Sequence, residues 1–261
     1  MTAIAPGYSK EKTIEILQQF ERGNTDGIGY SYVENGQFRV KKWPISLLEV
    51  LETEKNFLDH LPYNKGWTII HLRAGTHGEN AVKNTHPFVV GNICVTHNGI
   101  WSEYNIVKLA LGKNAKIQGE TDSEVAAHLI NVAGIKRFTE EVSFGGVFFV
   151  LHKNGNLYVS KTSGALAMSR WKGKYILASD LDSREYPKQL EVVNGWHKFD
   201  KHGRFVKSQE SKEFVSPGYA GLSGWGHYKG KAMKKIPSVT STVIPGVASS
   251  SAWSFLHENF D

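Results

Sequence analysis

The residue types that can hold and activate a carbonyl compound concentrate between Arg73 and Asp122. An arginine can grip a carboxylate through two parallel hydrogen bonds, and an aspartate can bind an ammonium group. Asn98-Gly99, read as a tight turn, offers a side-chain amide and an adjacent backbone N–H. Two such donors can stabilise a developing oxyanion, and removing one commonly costs about 3–4 kcal/mol of transition-state stabilisation. The set therefore predicts a receptor for an amino acid that carries a reactive carbonyl group.

Each of these residues also has an ordinary structural interpretation. Arg73 on its own can be a surface or ion-pair residue, and Asn98-Gly99 can be a plain turn. Asp122 can cap the helix that follows it, and this role is compatible with ligand binding. Two further aspartates are interpreted as turn and packing residues rather than catalysts: Asp26 and Asp180.

Four histidines in the same region raise the question of a metal site: His71, His77, His86 and His97. Their spacing is irregular, and no local Asp or Glu completes a ligand pattern. The sequence therefore predicts neither a metal nor another cofactor.

A mixture of strands and helices must position these residues. Asn-Gly pairs at 35–36 and 154–155 separate strand-like runs, which predicts two antiparallel hairpins. Further strands are predicted at Thr2–Ala5 and in WTIIHLRA, VGNICVTHNG, KYILASD and VVNGWHKFD. Ser9 is predicted to cap a first amphipathic helix, and further helices are predicted in SLLEVLETEKNFLDHL, EYNIVKLAL and DSEVAAHLINVA. This order favours the α+β class, with two antiparallel sheets stacked face to face and helices outside.

Composition and charge are those of an ordinary globular protein. The chain has 261 residues, of which 40% are hydrophobic, and a formal net charge of +6. Its single cysteine, Cys94, excludes an internal disulfide and fits a reducing compartment. No apolar run of about 18 residues predicts a membrane span, and the first residues lack the pattern of a secretion signal. We therefore expect a cytoplasmic protein that does not associate with a membrane.

The composition changes near residue 205, where glycine, serine and proline become frequent. This change predicts one domain over residues 1–205, followed by a Gly/Ser/Pro-rich basic tail over residues 206–261. The stretch WGHYKGKAMKK interleaves aromatic residues with lysines, which can bind a nucleic-acid backbone and bases. Short basic glycine-rich runs are usually only solvated, so nucleic acid is not expected as the partner.

The motifs of the dense region resemble those of a known family. HLRAGTHG at 71–78, NTHP at 84–87, THNGIWSEYN at 96–105 and ETDSEV at 120–125 are similar to motifs of the class II, N-terminal-nucleophile glutamine amidotransferases. RGNTDGIG at 22–29 and the segment that ends in Ala178-Ser179-Asp180 agree as well. The order and the spacing match over roughly residues 2–182. The resemblance implies a four-layer αββα sandwich of the N-terminal-nucleophile hydrolase type.

The resemblance also implies a role for each matching residue. Arg73 binds the α-carboxylate of glutamine, with Thr76 and His77 shaping the same wall, and Asp122 binds the α-ammonium group. Two residues form the oxyanion hole, and they are Asn98 and Gly99. The side chain of the first residue of the mature chain attacks the amide, with its own free α-amine as the general base.

The chain departs from the family at the nucleophile, which in the family is a cysteine directly after the initiator methionine. Here Thr2 occupies that position, and Cys94 lies inside a predicted strand where it has no free amine. Three explanations remain open. Thr2 acts as the nucleophile after removal of Met1, the family cysteine lies outside the given sequence, or the pocket has lost catalysis.

The first functional hypothesis is a glutamine amidotransferase-like domain that hydrolyses glutamine to glutamate and ammonia. The segment after residue 205 is too short and too rich in Gly, Ser and Pro for a synthetase domain, so a separate acceptor enzyme is the expected partner. The alternative is a catalytically inactive module that binds glutamine or docks on another protein.

Overall fold

The computed structural model describes residues 2–4, 8–61, 63, 66–76, 78–171, 174–179, 181–182, 184–186 and 189–210. The chain divides into two compact units, Met1–Phe214 and Val215–Asp261. The second unit lies outside the described residues, as does all of the predicted tail from position 211 onward.

One sheet carries the amino-terminal strand near its middle. Its seven strands lie in the spatial order β11 (Leu190–Glu191), β9 (Ala167–Trp171), β10 (Lys174–Ala178), β1 (Thr2–Ile4), β4 (Thr68–Leu72), β2 (Ile28–Glu34) and β3 (Gln37–Trp43). We call it the first sheet. β1 pairs with β10 on one side and with β4 on the other, and both pairings are antiparallel.

The second sheet has six strands in the order β13 (Phe205–Glu210), β12 (Gly195–Phe199), β8 (Leu157–Lys161), β7 (Gly145–His152), β6 (Ile93–Ile100) and β5 (Phe88–Val90). Its pairings are antiparallel throughout. Residues 206–210, at the start of the predicted tail, belong to β13.

Five α-helices accompany the described strands: α1 (Lys10–Gln18), α2 (Leu47–Thr53), α3 (Tyr104–Leu111), α4 (Asp122–Ala133) and α5 (Ile135–Glu141). Residues of α1 and α2 pack with one face of the first sheet in a single apolar cluster. α4 packs on β5 and β6, and α5 packs on β8 and β12. The order of layers is therefore helices, first sheet, second sheet, helices, which confirms the predicted α+β sandwich.

Alternation of side chains explains how the two sheets stack. In β4, Ile70 and Leu72 face α1 and α2, whereas Ile69 packs between the sheets. The layer between the sheets also contains Cys94 of β6 and Phe149 of β7. Odd-numbered positions of β4 and even-numbered positions of β6 therefore face each other across the sandwich.

Local sequence signals account for several element boundaries. Ser9 accepts a hydrogen bond from the backbone N–H of Lys12 and caps α1, as predicted. Asn35 and Gly36 have positive φ angles of 51° and 70° in the turn between β2 and β3. Asparagine and glycine adopt this conformation more readily than other residues, which explains why this pair marks the hairpin in the sequence.

Three local predictions differ from the structure. The single strand predicted in VGNICVTHNG consists of the last residue of β5, a turn and most of β6. The second predicted helix ends at Thr53 rather than continuing to Leu61, and the backbone of Leu58 is left-handed with a φ of 65°. Leu58 and Leu61 are nevertheless buried, so their apolar spacing reflects the packing of an irregular segment. Asn98-Gly99 lies within β6, opposite Val147 and Gly146, and is not a tight turn.

No helix in the described part of the chain is long and apolar enough to cross a bilayer.

Candidate active site

The amino end of β1 lies beside the carboxyl ends of two other strands. Thr2 is opposite Ile70 in β4 and opposite Ala178 in β10. Arg73 follows three residues after Ile70, and Ser179 directly follows Ala178. The antiparallel register thus places the candidate nucleophile position at the same edge of the first sheet as Arg73.

Asn98 connects this edge to the second sheet. Its side-chain Nδ2 donates a hydrogen bond of 3.1 Å to Oγ of Ser179. Because side chains alternate along β6, Asn98 faces the same side as Cys94, which packs between the sheets. Asn98 is exposed, so its amide can contact a ligand at the open end of the sandwich.

Gly99 allows an unusually close approach of two strands. A Cβ atom added there would lie 2.0 Å from the carbonyl oxygen of Gly145, and one added at Gly146 would lie 2.2 Å from the carbonyl oxygen of Asn98. The φ angles of Gly99 and Gly146 are 155° and 120°. Only glycine fits where β6 and β7 approach each other this closely. On β7, the sequence signal for this close approach is the Gly145-Gly146 pair of GGVFFV.

Arg73 is a buried side chain just beyond β4 that is held by hydrogen bonds. It is 3% exposed. Its Nη1 donates to Oδ1 of Asn80 over 2.7 Å, and its Nη2 donates to the backbone oxygen of Gly78 over 3.2 Å. Burial lowers the pKa of Arg73, and the nearby Asp26 carboxylate opposes that shift. An arginine keeps its charge in such a site because its ordinary pKa is above 12.

Hydrogen bonds join the loop before β2 to the loop after β4. The Asp26 carboxylate accepts from the backbone N–H of Gly75 over 2.7 Å and from Nδ2 of Asn80 over 3.3 Å. Backbone hydrogen bonds join Asp26 N–H to the Arg73 oxygen and Arg73 N–H to the Gly27 oxygen. Asp26 is thus a structural partner of the Arg73 loop, in agreement with its interpretation as a turn residue.

Asp122 lies at the first turn of α4, behind the end of β6. Its Oδ2 accepts from the backbone N–H of Trp101 over 2.8 Å, and its Oδ1 lies 3.0 Å from the hydroxyl of Ser123. The helix cap is Thr121, whose hydroxyl accepts from Glu124 N–H, so Asp122 is not the capping residue. Asp122 is 4% exposed, and its described contacts are with Trp101, Ser123 and His97 rather than with Arg73 or Asn98.

His97 links Asp122 to the crossing of β6 and β7. Its Nε2 lies 3.2 Å from the Gly145 carbonyl oxygen, and its Nδ1 lies 3.2 Å from Oγ of Ser123. A carbonyl can only accept, so Nε2 carries a hydrogen in its contact with Gly145. The Ser123 hydroxyl donates its single hydrogen to Oδ1 of Asp122. Burial lowers the pKa of His97, although the Asp122 carboxylate works in the opposite direction.

Thr76 is exposed in the loop after Arg73, whereas His77 lies outside the described residues, as does Asp180. Within the described ranges, no group of three or more His, Cys, Asp or Glu side chains can hold a metal ion.

Sequence reasoning missed the partners that hold the candidate residues. Ser179 and Asp26 both lie in segments that carry the resemblance, yet neither was assigned a contact with a site residue. Asn80 had no signal at all, because a single asparagine in a polar loop is uninformative.

Comparisons with known proteins agree with this architecture. The chain is 30% identical over 192 residues to a glutamine–fructose-6-phosphate aminotransferase (isomerizing) of Photorhabdus laumondii. The aligned residues cover 68% of this chain and 31% of that protein. No protein-family model matches. The chain spans less than half the length of the curated relatives that it matches.

Solved structures share the fold at low sequence identity. A glutamine phosphoribosylpyrophosphate amidotransferase of B. subtilis superposes with a TM-score of 0.65 and 19% identity, over 80% of this chain and 48% of that one. A glutamine aminotransferase class-II domain protein of Silicibacter pomeroyi superposes with a TM-score of 0.51 and 12% identity, over 81% of this chain and 99% of that one.

Proposed function

We infer the function of this chain from the premise that it belongs to the class II glutamine amidotransferases, to whose members both its sequence and its fold are related. We propose that it hydrolyses glutamine to glutamate and ammonia with a nucleophile at its amino terminus. One observation carries this proposal. The amino end of β1 lies at the edge of the sheet from which Arg73 and Ser179, the partner of Asn98, emerge.

In the proposed reaction, removal of Met1 exposes Thr2 with a free α-amine. The amine takes the proton of the Thr2 hydroxyl while the oxygen attacks the amide carbon of the glutamine side chain. The carbonyl oxygen becomes an oxyanion that Asn98 and Gly99 stabilise by hydrogen bonds. Collapse expels ammonia with the transferred proton and leaves a γ-glutamyl ester, which water then hydrolyses to glutamate and the free hydroxyl.

Arg73 is the proposed partner of the substrate α-carboxylate, with Thr76 and His77 forming the adjoining wall. Asp122 is the proposed partner of the α-ammonium group. Each carboxylate oxygen of Asp122 accepts one hydrogen bond, Oδ1 from the Ser123 hydroxyl and Oδ2 from Trp101 N–H, and each has a further lone pair that can accept from such a cation. A buried carboxylate and a buried guanidinium together select a zwitterionic amino acid.

Cys94 does not replace the family nucleophile. It is fully buried between the sheets, and burial raises its pKa to about 12. Only the thiolate is a strong nucleophile, and its population at neutral pH is negligible with such a pKa. Cys94 is therefore not the proposed nucleophile, and the proposal assigns that role to Thr2.

The second candidate function is glutamine binding without turnover. A threonine hydroxyl is a much weaker acid than a thiol with a pKa of about 8.5, so a pocket that lacks the family cysteine has a weaker attacking group. This candidate keeps the roles of Arg73 and Asp122 and dispenses with that of Thr2. The third alternative is that the family cysteine lies outside the given sequence and serves as the nucleophile of the natural chain.

We propose a separate synthetase or acceptor enzyme as the partner that consumes the ammonia, and a cytoplasmic location for both.

The experiment compares glutamate release by the full chain, Thr2→Cys and Thr2→Ala, after intact mass has established that Met1 is removed. We expect measurable turnover by the natural chain, at least about tenfold faster turnover by Thr2→Cys because of the more acidic thiol, and none by Thr2→Ala. Thr53→Cys on the exposed side of α2 controls for the added thiol.

Folded protein that releases no glutamate in either the natural or the cysteine form contradicts the hydrolase proposal. Calorimetric binding of glutamine by that same protein then selects the second candidate.

A further inference from the structure

Asn80 connects the Asp26 carboxylate to the Arg73 guanidinium. Its amide nitrogen donates to Oδ1 of Asp26 over 3.3 Å, and its amide oxygen accepts from Nη1 of Arg73 over 2.7 Å. A carboxylate can only accept and a guanidinium can only donate, so one orientation of the amide satisfies both neighbours. These two contacts therefore define the orientation of the Asn80 amide.

The two loops that carry this relay are themselves fixed. The second oxygen of Asp26 accepts from Gly75 N–H over 2.7 Å, and backbone hydrogen bonds join Asp26 and Gly27 to Arg73. Gly75 leaves room for the guanidinium, because a Cβ atom there would lie 2.9 Å from Nη1 of Arg73. Asn80 thus contacts one nitrogen of the Arg73 guanidinium, and backbone hydrogen bonds to Asp26 and Gly27 fix the main chain of Arg73.

We propose that Asn80 is a positioning residue that orients the Arg73 guanidinium for a ligand carboxylate. The inference rests on the proposed binding of glutamine by Arg73 and adds to it the residue that sets selectivity for an anionic α-group. The chemistry of the amide is decisive. A neutral oxygen fixes the guanidinium by a strong hydrogen bond without placing a second negative charge against it.

An aspartate at position 80 has the same shape and the opposite consequence. Its carboxylate would pair with Arg73 and stand beside the Asp26 carboxylate, so a ligand carboxylate would compete with a resident anion. The variant Asn80→Asp therefore separates the charge of this side chain from its volume. Asn35→Asp, in the exposed turn between β2 and β3, adds the same charge away from the site and is the matched control.

The test uses the full chain carrying Thr2→Ala, so that ligands bind without turnover. Calorimetry measures Kd for glutamine and for glutaminamide, in which a neutral carboxamide replaces the α-carboxylate. We expect Asn80→Asp to raise Kd for glutamine by at least about tenfold and to change Kd for glutaminamide less than about threefold. The ratio of Kd for glutaminamide to Kd for glutamine should then fall by several-fold in Asn80→Asp, whereas Asn35→Asp should retain the ratio of the parent chain.

General damage to the fold would weaken both ligands together, and an unchanged preference would show that Asn80 does not act on Arg73. Either result overturns the proposal.

A second measurement needs no ligand. Hydrogen exchange of the Arg73 guanidinium, followed by nitrogen-15 NMR and assigned with Arg73→Lys, should become at least about tenfold faster in Asn80→Ala, because Nη1 loses the Asn80 oxygen as an acceptor. Equal exchange rates in the two proteins overturn the proposal. Faster exchange in a chain that binds neither ligand rejects the proposed function while upholding the positioning role of Asn80.

Discussion

At the scale of single residues, Asn98 owes its direction to a partner that is distant in sequence. Ser179 lies 81 positions away and accepts a hydrogen bond from one of the two N–H groups of the Asn98 amide. The other N–H of that amide is directed by the same bond, because the NH₂ group is planar. A donor that is fixed before the oxyanion forms stabilises it without reorganisation.

Replacing Ser179 by alanine should therefore lower kcat for glutamine hydrolysis by roughly tenfold and leave KM within about twofold. The ground-state contacts of the substrate are expected to involve Arg73 and Asp122, which the substitution leaves in place. Steady-state kinetics of the more active Thr2→Cys form measures both constants. Ser208→Ala in β13 is the control, because Ser208 is exposed and lies in the strand at the far edge of the second sheet.

An increase in KM with an unchanged kcat would contradict this role for Ser179, because it would place the effect in ground-state binding.

At the scale of elements, α4 presents Asp122 through the geometry of its first turn. Thr121 is the cap, and its hydroxyl accepts from Glu124 N–H. The Glu124 carboxylate then accepts from the backbone N–H groups of Gln118 and Gly119, which ties the preceding loop to the helix. The start of the helix therefore fixes the position of a proposed ligand-binding carboxylate.

Two cap substitutions should separate stability from binding. Thr121→Ala and Ser46→Ala each remove a cap that accepts a backbone hydrogen bond, and each should cost about 1 kcal/mol of unfolding free energy. Only Thr121→Ala should also weaken glutamine binding, by several-fold, because Ser46 caps α2 on the other side of the sandwich. Urea unfolding and calorimetry on both variants provide the comparison.

Equal glutamine affinities in the two cap variants would show that Asp122 does not depend on this helix start.

At the scale of the whole molecule, a pair of buried histidines joins the two sheets. His71 lies in β4, His86 lies just before β5, and their ring centroids are 4.1 Å apart. Nδ1 of His71 and both ring nitrogens of His86 have no hydrogen-bond partner in the described part of the chain. Burial holds the pKa of each ring well below its ordinary value, and the nearby charge of Arg73 acts in the same direction.

This pair predicts a loss of stability at mildly acidic pH. Because the folded-state pKa values are depressed, the contribution of the neutral rings is complete above the ordinary histidine pKa of about 6.5 and is lost as the pH falls below it. Each ring contributes a slope of up to about 1.4 kcal/mol per pH unit there. Urea unfolding between pH 5 and 8 measures the slope.

His86→Asn should lower the pH dependence of the unfolding free energy by the equivalent of about one bound proton, which is about 1.4 kcal/mol per pH unit. His60→Asn, at an exposed position, should leave that pH dependence unchanged. Equal slopes in the natural chain and His86→Asn would contradict the assignment.

Local chemistry determined much of this fold in advance. Some signals act over only a few residues and can therefore be recognised in the sequence. They include Asn35-Gly36 in the turn between β2 and β3, Ser9 before α1 and the apolar spacing of α4. The set from Arg73 to Asp122 was recognisable for the same reason, since its motifs carry distinctive residue types in a defined order.

Only the tertiary structure decided how those residues are held. The contacts of Asn98 with Ser179, of Gly75 with Asp26 and of His71 with His86 depend on strand register and on the stacking of two sheets, which no local pattern specifies. Asn98-Gly99 illustrates the difference. Its residue types suggest a turn, but the facing Gly145-Gly146 lets two strands approach closely and makes it the end of a paired strand. Long-range packing overrides local preference wherever the partner lies far along the chain.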